Sequence, residues 1–478
     1  VTAPATAAFR PRTATGSPLF PSRVEREQWD DLLTQELAAA GERVAEGPVA
    51  PTIDLDAFRR ELSGFDFRAP SPFGQLLGWS IAQLERGVTQ VTNPRYFGLF
   101  NPAPSFPAQC ADRIAAAFNP QLATATTSPV AVEIEAHVIR AVARRAGLPP
   151  QTGGHFTSGG AEANFTALIC ALTRAETGFA ETGARAFAGP PVFYVSRESH
   201  LAWFKIAHQA GIGRAAVRLV ATDGSGRLDP DALSRMIESD RAAGSVPVMV
   251  AATAGTTNAG MIDPLAATAE IARRFGLWFH VDAAWGGALI ASDRMRARLA
   301  GIDRADSVTI DAHKWFAVTM GCGMFFARDP SILSAAFHAA NDYMPSHNAA
   351  RDPYLNSVQW SRRFLGLRLF LSLAAVGWEG YAKHVEHAIE IAALIKRELR
   401  MRSWTIANDS PVAVVCAEPP PGSAGIAAIV SHVLASGTAW VSAATFEGRP
   451  VLRACVTHGG TTPEDVAALI VGLEAARA

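Results

Sequence analysis

"LWFHVDAA", residues 277–284, is an apolar run that ends on a carboxylate, Asp282, followed by two alanines. Three further runs share its character: "PVFYVS" at 191–196, "VPVMVAATAG" at 246–255 and "SVTIDAH" at 307–313. Stretches of about 10 to 20 residues with helical spacing separate them. A strand that is nearly all apolar needs both faces covered, which is the condition of a mostly parallel sheet flanked by helices. The fold class read from these runs is α/β, with a mostly parallel central sheet and helices on both faces. Sheets of this kind gather ligands outside the carboxyl ends of their strands. The residues that follow each run are therefore where chemistry is sought.

Working outward, the pattern changes on both sides. From Glu25 to about Gly47 the apolar positions Trp29, Leu32, Leu33 and Leu37 recur at helical spacing, and "SPFGQLLGWSIAQLERG" (71–87) is a second amphipathic segment. Such a strandless region needs something to pack on. Beyond Arg362 a long helical stretch is interrupted near Gly377. After it, "PVAVVCAE", "TAWVSAA" and "PVLRACVT" read as strands, with helices over 424–435 and 462–476, the latter led in by the N-cap signal "TTPED". The expected division is an N-terminal arm and helical segment over 1–105, a large α/β domain over 106–360 and a small α+β domain over 361–478. The opening "VTAPATAAFRPRTATGSPLFPSR" has no compact apolar core of signal-peptide type and reads as a flexible arm.

Composition removes several function classes. With 49% hydrophobic and 18% charged residues, the 478-residue chain has the make-up of a packed globular protein rather than a disordered one. A net charge of -1, spread along the chain, leaves no electrostatic footprint for nucleic acid. No stretch approaches the run of about 20 apolar residues that spans a bilayer. The five cysteines, Cys110, Cys170, Cys322, Cys416 and Cys455, are odd in number and form no CxxC pair, which argues against a disulfide framework and a zinc site. A reducing cytoplasm is the expected setting.

Four segments at strand ends carry the chemistry. In "HFTSGGAEANFTALICALTR" (155–174), Thr157, Ser158, Gly159 and Gly160 lead into a helix, and glycines there let backbone N–H groups approach an anion. Asp282 ends a buried run and needs a cationic or hydrogen-bonding partner. Lys314 follows "TIDAH", and a lysine desolvated beside an apolar strand becomes a Schiff-base nucleophile. It lies 32 residues beyond Asp282, room for one helix and one strand, which would set the two side chains at neighbouring strand ends. His200, in "VSRESHLAWFKIAHQAG" (195–211), follows a run and opens a helix, offering a flat group to cover a ring.

In this order, the phosphate turn, the histidine, the aspartate and the lysine resemble the fold type I pyridoxal phosphate (PLP) enzymes. Within them the chain resembles the group II amino-acid decarboxylases, which include aromatic-L-amino-acid, histidine and glutamate decarboxylases. The resemblance is carried by "NPRYFGLFNPAPSFPAQCADRI" (93–114), "SPVAVEIE" (128–135), the four segments above, "AGTTNAG" (254–260) and "QWSRRFLGLRLF" (359–370). It extends into "VLRACVTHGGTTPEDV" (451–466), so most of the chain is covered.

The resemblance implies that Lys314 holds pyridoxal 5'-phosphate through a Schiff base and that Asp282 pairs with the pyridine nitrogen. It implies that His200 stacks on the ring, that Thr257 and Ala284 line its other side, and that Gly159, Gly160, Ala161 and His313 reach the phosphate. Asp311 belongs to the same set, at a position that is Asn in some relatives. The acid that protonates the product carbon resembles a loop tyrosine, for which "FHAANDYMPSHNAARDPYLN" (337–356) offers Tyr343 first and Tyr354 second. Leu99, Phe100 and Asn101 correspond to the side-chain pocket. An aromatic or bulky apolar L-amino acid is the expected substrate, with acidic and diamino acids open. The implied products are the amine and CO2, since related aldehyde synthases typically carry phenylalanine where this chain has Tyr343; an aldehyde synthase and a fold type I aminotransferase, which could use the same Lys, Asp and His set, stay open as alternatives. The implied assembly is an obligate homodimer with no nucleic-acid or membrane partner.

Overall fold

All four apolar runs are strands of one seven-stranded sheet in the computed structural model, which describes residues 19–339 and 352–478. Its strands are β1 (Gly153–Thr157), β2 (Pro191–Ser196), β3 (Val217–Val220), β4 (Val246–Thr253), β5 (Trp278–Asp282), β6 (Ser307–Asp311) and β7 (Gly323–Ala327). They lie in the order β1-β7-β6-β5-β4-β2-β3. β2 to β6 pair in parallel, whereas β7 is antiparallel to both β1 and β6. Thr157 and Asp311 thus both pair with Gly323, at one end of the sheet. A Cβ on Gly323 would stand 2.5 Å from Thr157 Oγ1 and 2.7 Å from Asp311 Oδ1, so only glycine lets the two polar ends meet there.

The sheet is covered on both sides. Phe279, Val281, Val308 and Ile310 belong to one buried cluster, while Trp278, Met249, Phe193 and Phe325 belong to another that includes Ala163, Ala167 and Leu168 of the helix Gly160–Ala175. Each large side chain buried this way contributes about 1.5–3 kcal/mol.

The link from β5 to β6 departs from expectation. In place of a helix it runs through three short 3-10 turns, Gly286–Ala291, Arg296–Leu299 and Ile302–Arg304. The backbone passes against the sheet there: a Cβ on Gly286 would be 2.4 Å from the Ala254 carbonyl oxygen, and one on Gly287 2.7 Å from Ile310 Cγ1. A regular helix with side chains all round does not fit so close. β5 and β6 are nonetheless neighbours, and Asp282 and Lys314 emerge at adjacent strand ends, as the spacing predicts.

The chain forms two compact units, the first ending at Gln90 and the second running Val91–Ala478. The first holds helices Arg23–Glu46, Leu55–Leu62 and Phe73–Gly87, and no strand among its described residues. A capping box between Ser22 and Glu25 starts the first helix. In the second unit, the helix Gly366–Met401 is broken at Gly377, whose φ of 66° is left-handed, where the sequence signals an interruption. A four-stranded antiparallel sheet follows, ordered β10-β11-β9-β8, from β8 (Thr405–Ile406), β9 (Val414–Glu418), β10 (Ser442–Phe446) and β11 (Arg449–Cys455). Only the two-residue β8 lacks a counterpart in the sequence reading. The helix Pro463–Arg477 begins with a Thr462–Asp465 capping box, as "TTPED" predicts.

Candidate active site

A cavity of about 290 Å³ opens at the carboxyl ends of the parallel strands. Lys314, three residues past β6, lines it together with Asp282 and Asp311, the last residues of β5 and β6. Lys314 Nζ lies 3.1 Å from Asp311 Oδ2, and the lysine side chain keeps 22% exposure against 2% for the aspartate. Asp311 Oδ1 is buried without a donor among the described residues. Asp282 accepts the Ala284 N–H on Oδ1 at 3.1 Å and the Asn164 Nδ2–H on Oδ2 at 2.8 Å.

Gly159, Gly160 and Ala161 line the same cavity where β1 turns into the helix Gly160–Ala175. The first N–H groups of a helix have no partner within it. A Cβ on Gly160 would be 2.9 Å from Asp311 Oδ2 and 3.3 Å from Ala284 Cβ, so a side chain would fill the cradle. Glu162 ties the turn down, accepting the Ser158 N–H at 2.8 Å and the Gln359 amide at 2.6 Å.

Two imidazoles complete the rim. His313 Nδ1 accepts the Cys322 N–H at 3.2 Å, and His200 Nδ1 accepts the Ala202 N–H at 3.1 Å. With Nδ1 occupied as an acceptor, each neutral ring carries its proton on Nε2. Burial is the main cause that lowers both pKa values below the usual imidazole value, outweighing the opposing pull of Asp311 on His313 and of Asp282 on His200. Thr257 and Ala284 also line the cavity.

An aromatic wall stands beside the lysine. Phe100 stacks on Trp285 at 4.3 Å between centroids, and Trp285 stacks on Trp315 at 4.6 Å. Trp315 is fully buried, which accounts for an indole directly after Lys314: it packs the strand end. Phe97 donates to the Trp440 carbonyl and accepts from Cys455 N–H, pinning the segment that carries Phe100 to the small sheet. From β11 the buried Arg453 lays its guanidinium over Phe100, 4.9 Å from the ring centre. Its Nε donates to the carbonyls of Thr257 and Asn258, and one Nη to that of Gly98.

Sequence reasoning and structure part at three positions. Leu99 and Asn101 do not line the cavity: Leu99 is 52% exposed, and Asn101 accepts the Tyr96 hydroxyl at 2.7 Å. Tyr354 is buried, packed on Trp360 at 4.9 Å away from the cavity lining. Tyr343 lies outside the described residues. Asn164 and Arg453 were missed. Asn164 is one turn into the predicted phosphate-turn helix, and a polar residue on the buried face of such a helix was the available signal.

An amine, a buried carboxylate and a glycine turn at a helix start in one cavity suit a cofactor that carries an aldehyde, a basic ring nitrogen and a phosphate. Residues 68–418 match the family described as pyridoxal-dependent decarboxylase conserved domain. The chain is 27% identical to aromatic-L-amino-acid decarboxylase of Bacillus atrophaeus over 442 residues, 90% of each chain. It is 36% identical to cysteine sulfinic acid decarboxylase of Mus musculus over 281 residues, 58% of this chain and 56% of that one. The crystal structure of Oryza sativa TDC with PLP and tryptamine superposes with a TM-score of 0.89 at 25% identity, covering 97% of this chain and 99% of that one. This chain belongs to the pyridoxal-dependent decarboxylase family and is a PLP-dependent amino-acid decarboxylase.

Proposed function

We propose that the enzyme decarboxylates an L-amino acid with an aromatic or bulky apolar side chain to the amine and CO2. The observation that carries this substrate class is the flat wall of Phe100, stacked on Trp285, in the cavity that holds Lys314. PLP, when bound, supplies the electron sink for the pair left behind by the departing carboxylate. In this reading Lys314 Nζ would hold the cofactor through its aldehyde group, and Asp311 Oδ2, 3.1 Å away, would orient that amine. Asp282 holds the proton on the ring nitrogen, while the neutral His200 covers the ring without adding charge. The turn at Gly159–Ala161 receives the phosphate, with His313 beside it. Tyr343 is assigned the protonation of the product carbon.

A second reading has support of its own. Arg453 is a buried cation whose remaining Nη finds no partner among the described residues, and it faces the same phenylalanine. A carboxylate or sulfinate on the substrate side chain would satisfy it. The deciding experiment supplies holoenzyme with aromatic, apolar, acidic and diamino L-amino acids while CO2, amine, ammonia and peroxide are followed together. Turnover confined to acidic substrates overturns the aromatic assignment. Ammonia and peroxide in step with CO2 from the unaltered enzyme overturn simple decarboxylation, and unchanged amine formation by Tyr343→Phe removes Tyr343 as the acid.

We infer a homodimer as well. Within the first unit Leu37, Leu55, Phe73 and Leu84 are all exposed despite their apolar character. Within the second unit an apolar groove of about 560 Å³ lies between Ile114, Phe118, Val130 and Leu367. Exposed apolar side chains and an apolar groove call for a cover, and a second copy would provide it. Sedimentation equilibrium tests this: a stable, fully active monomer refutes it.

A further inference from the structure

Behind Asp282, one face of β5 and β6 is polar and buried. Trp278, His280 and Asp282 alternate along β5, and Ser307 and Thr309 along β6, with His280 opposite Ser307 and Asp282 opposite Thr309. All five are 5% exposed or less. Over this face the helix Gly160–Ala175 lays Asn164, itself 3% exposed.

The hydrogen bonds admit one direction of travel. A carboxylate oxygen accepts, so Asn164 turns its amide nitrogen to Asp282 Oδ2 at 2.8 Å and its carbonyl away. That carbonyl accepts the Thr309 hydroxyl at 2.8 Å and faces His280 Nε2 at 3.0 Å, so the imidazole carries its proton on Nε2. Nδ1 is then left to accept from the Ser307 hydroxyl at 2.8 Å. Ser307 Oγ in turn accepts the Trp278 indole N–H at 2.7 Å. Burial pushes the His280 pKa down to about 4, so near neutral pH the ring has a single N–H to place. Each donor meets an acceptor, and each link points toward Asp282.

We propose that Asn164 and His280 are positioning residues: the chain Trp278, Ser307, His280, Asn164 locks the Asp282 carboxylate so that its free lone pairs face the ring nitrogen of the cofactor. The inference rests on the assignment of Asp282 to that nitrogen. Burying so many polar groups in the middle of an apolar sheet is costly unless the network is complete. An apolar pair at 164 and 280 would fill the same space without that demand, so the network is accounted for by what it holds. Polarisation along the chain strengthens the bond that ends on Asp282, and the fixed tautomer keeps it from turning round.

The first test reads the tautomer in the unaltered sequence. In nitrogen-15 spectra of the holoenzyme, with the His280 signals assigned by their loss in His280→Gln, Nε2 is protonated and Nδ1 is not; the opposite tautomer overturns the proposal. The second uses PLP labelled at its ring nitrogen. In His280→Phe and Asn164→Leu that signal moves toward unprotonated pyridine and the PLP dissociation constant rises about tenfold, about 1.4 kcal/mol. His280→Gln, whose amide still donates toward Asn164, holds both values closer to the unaltered enzyme. An unmoved signal and unmoved affinity in His280→Phe and Asn164→Leu overturn the proposal. Asp282→Asn separates the two levels: if it too changes nothing, the assignment of Asp282 has failed, and if it alone changes them, only the chain behind it has. Should His280→Phe not fold, Ser307→Ala removes one hydroxyl and gives the same shift in smaller measure, or overturns the chain by giving none.

Discussion

Two buried ion pairs in the same unit are built to different ends. Glu135 Oε2 lies 2.6 Å from an Nη of Arg362, with side chains 5% and 4% exposed, and Glu135 Oε1 also accepts the N–H groups of Leu365 and Gly366. Gly366 permits the approach, since a Cβ there would be 2.5 Å from Glu135 Cγ. The Asp311–Lys314 pair is as buried on its acidic side, but its lysine reaches into a cavity and its second carboxylate oxygen has no donor among the described residues. The first pair also borders a cavity, of about 200 Å³, but both of its carboxylate oxygens are engaged, one by Arg362 and the other by the backbone. The second is left open, and an open buried pair is what chemistry requires.

Removing the basic partner from each pair is the sharpest way to break that contrast. Lys314→Ala should lower turnover by at least about 10⁴-fold, since the amine is the group that engages the cofactor. Its thermal midpoint should fall little, because water entering the cavity can solvate Asp311. Arg362→Met should do the reverse: it leaves the buried Glu135 without its cation and costs about 3–5 kcal/mol of stability. Equal destabilisation of the two variants in calorimetry would erase the distinction.

Acid provides a graded version of the same test. His155, His280 and His384 are buried, and burial lowers their pKa values to about 3, about 4 and about 4. Their folded values lie below the unfolded one of 6.5, so the unfolded chain binds more protons and stability falls as pH drops from about 6.5 toward 4. Asp263, pushed up to about 7 by burial, acts with the opposite sign between pH 7 and 3.8. The three histidines outnumber it, so the net contribution of these groups is a loss of stability as pH falls through this range. Arg362 contributes to the depression at His155. Burial is the larger cause, so Arg362→Met should lower the whole curve and, by raising the His155 pKa, lessen the loss only at its acid end; an acid end that falls as steeply as before in pH-dependent urea unfolding would detach His155 from the pair.

How much of this was legible in the sequence depends on distance along the chain. The strand runs, the glycine turn and the strand-end Asp282 and Lys314 are local patterns, and the structure sets them as read. The β5–β6 link was read as helical because its tight packing depends on Ala254 and Ile310, which local propensity does not contain. Reading the runs as nearly all apolar also hid a period of two: Trp278, His280, Asp282 and Ser307, Thr309, Asp311 fall on one face, and that alternation was available. Arg453 was out of reach, since it meets Gly98 across 355 residues of chain. The inward turn of Phe100, against the outward Leu99, depends on backbone bonds from Phe97 to Trp440 and Cys455.

Arg453 tests the contrast at its weakest point, because it combines traits of both pairs. Like Arg362 it is almost fully buried, at 3% exposure, and it is held by three backbone carbonyls. Like Asp311 beside Lys314 it keeps one atom without a hydrogen-bond partner among the described residues, and no carboxylate among them pairs with it. Phe100 lies against it at 4.9 Å, so a ring contact takes the place that an anion would occupy. If the wall serves aromatic substrates, Phe100→Leu removes one ring-to-ring contact, about 0.5–1.5 kcal/mol, and lowers kcat/KM for an aromatic amino acid about tenfold or less. The same change should leave kcat/KM for an acidic amino acid no lower, since it only uncovers the guanidinium. A fall confined to the acidic substrate would instead mean that Phe100 helps present Arg453 to the substrate acid group, which makes Arg453 an open, recognising cation. The ratio of the two kcat/KM values, measured on one preparation of each protein, decides between a closed structural arginine and an open recognising one.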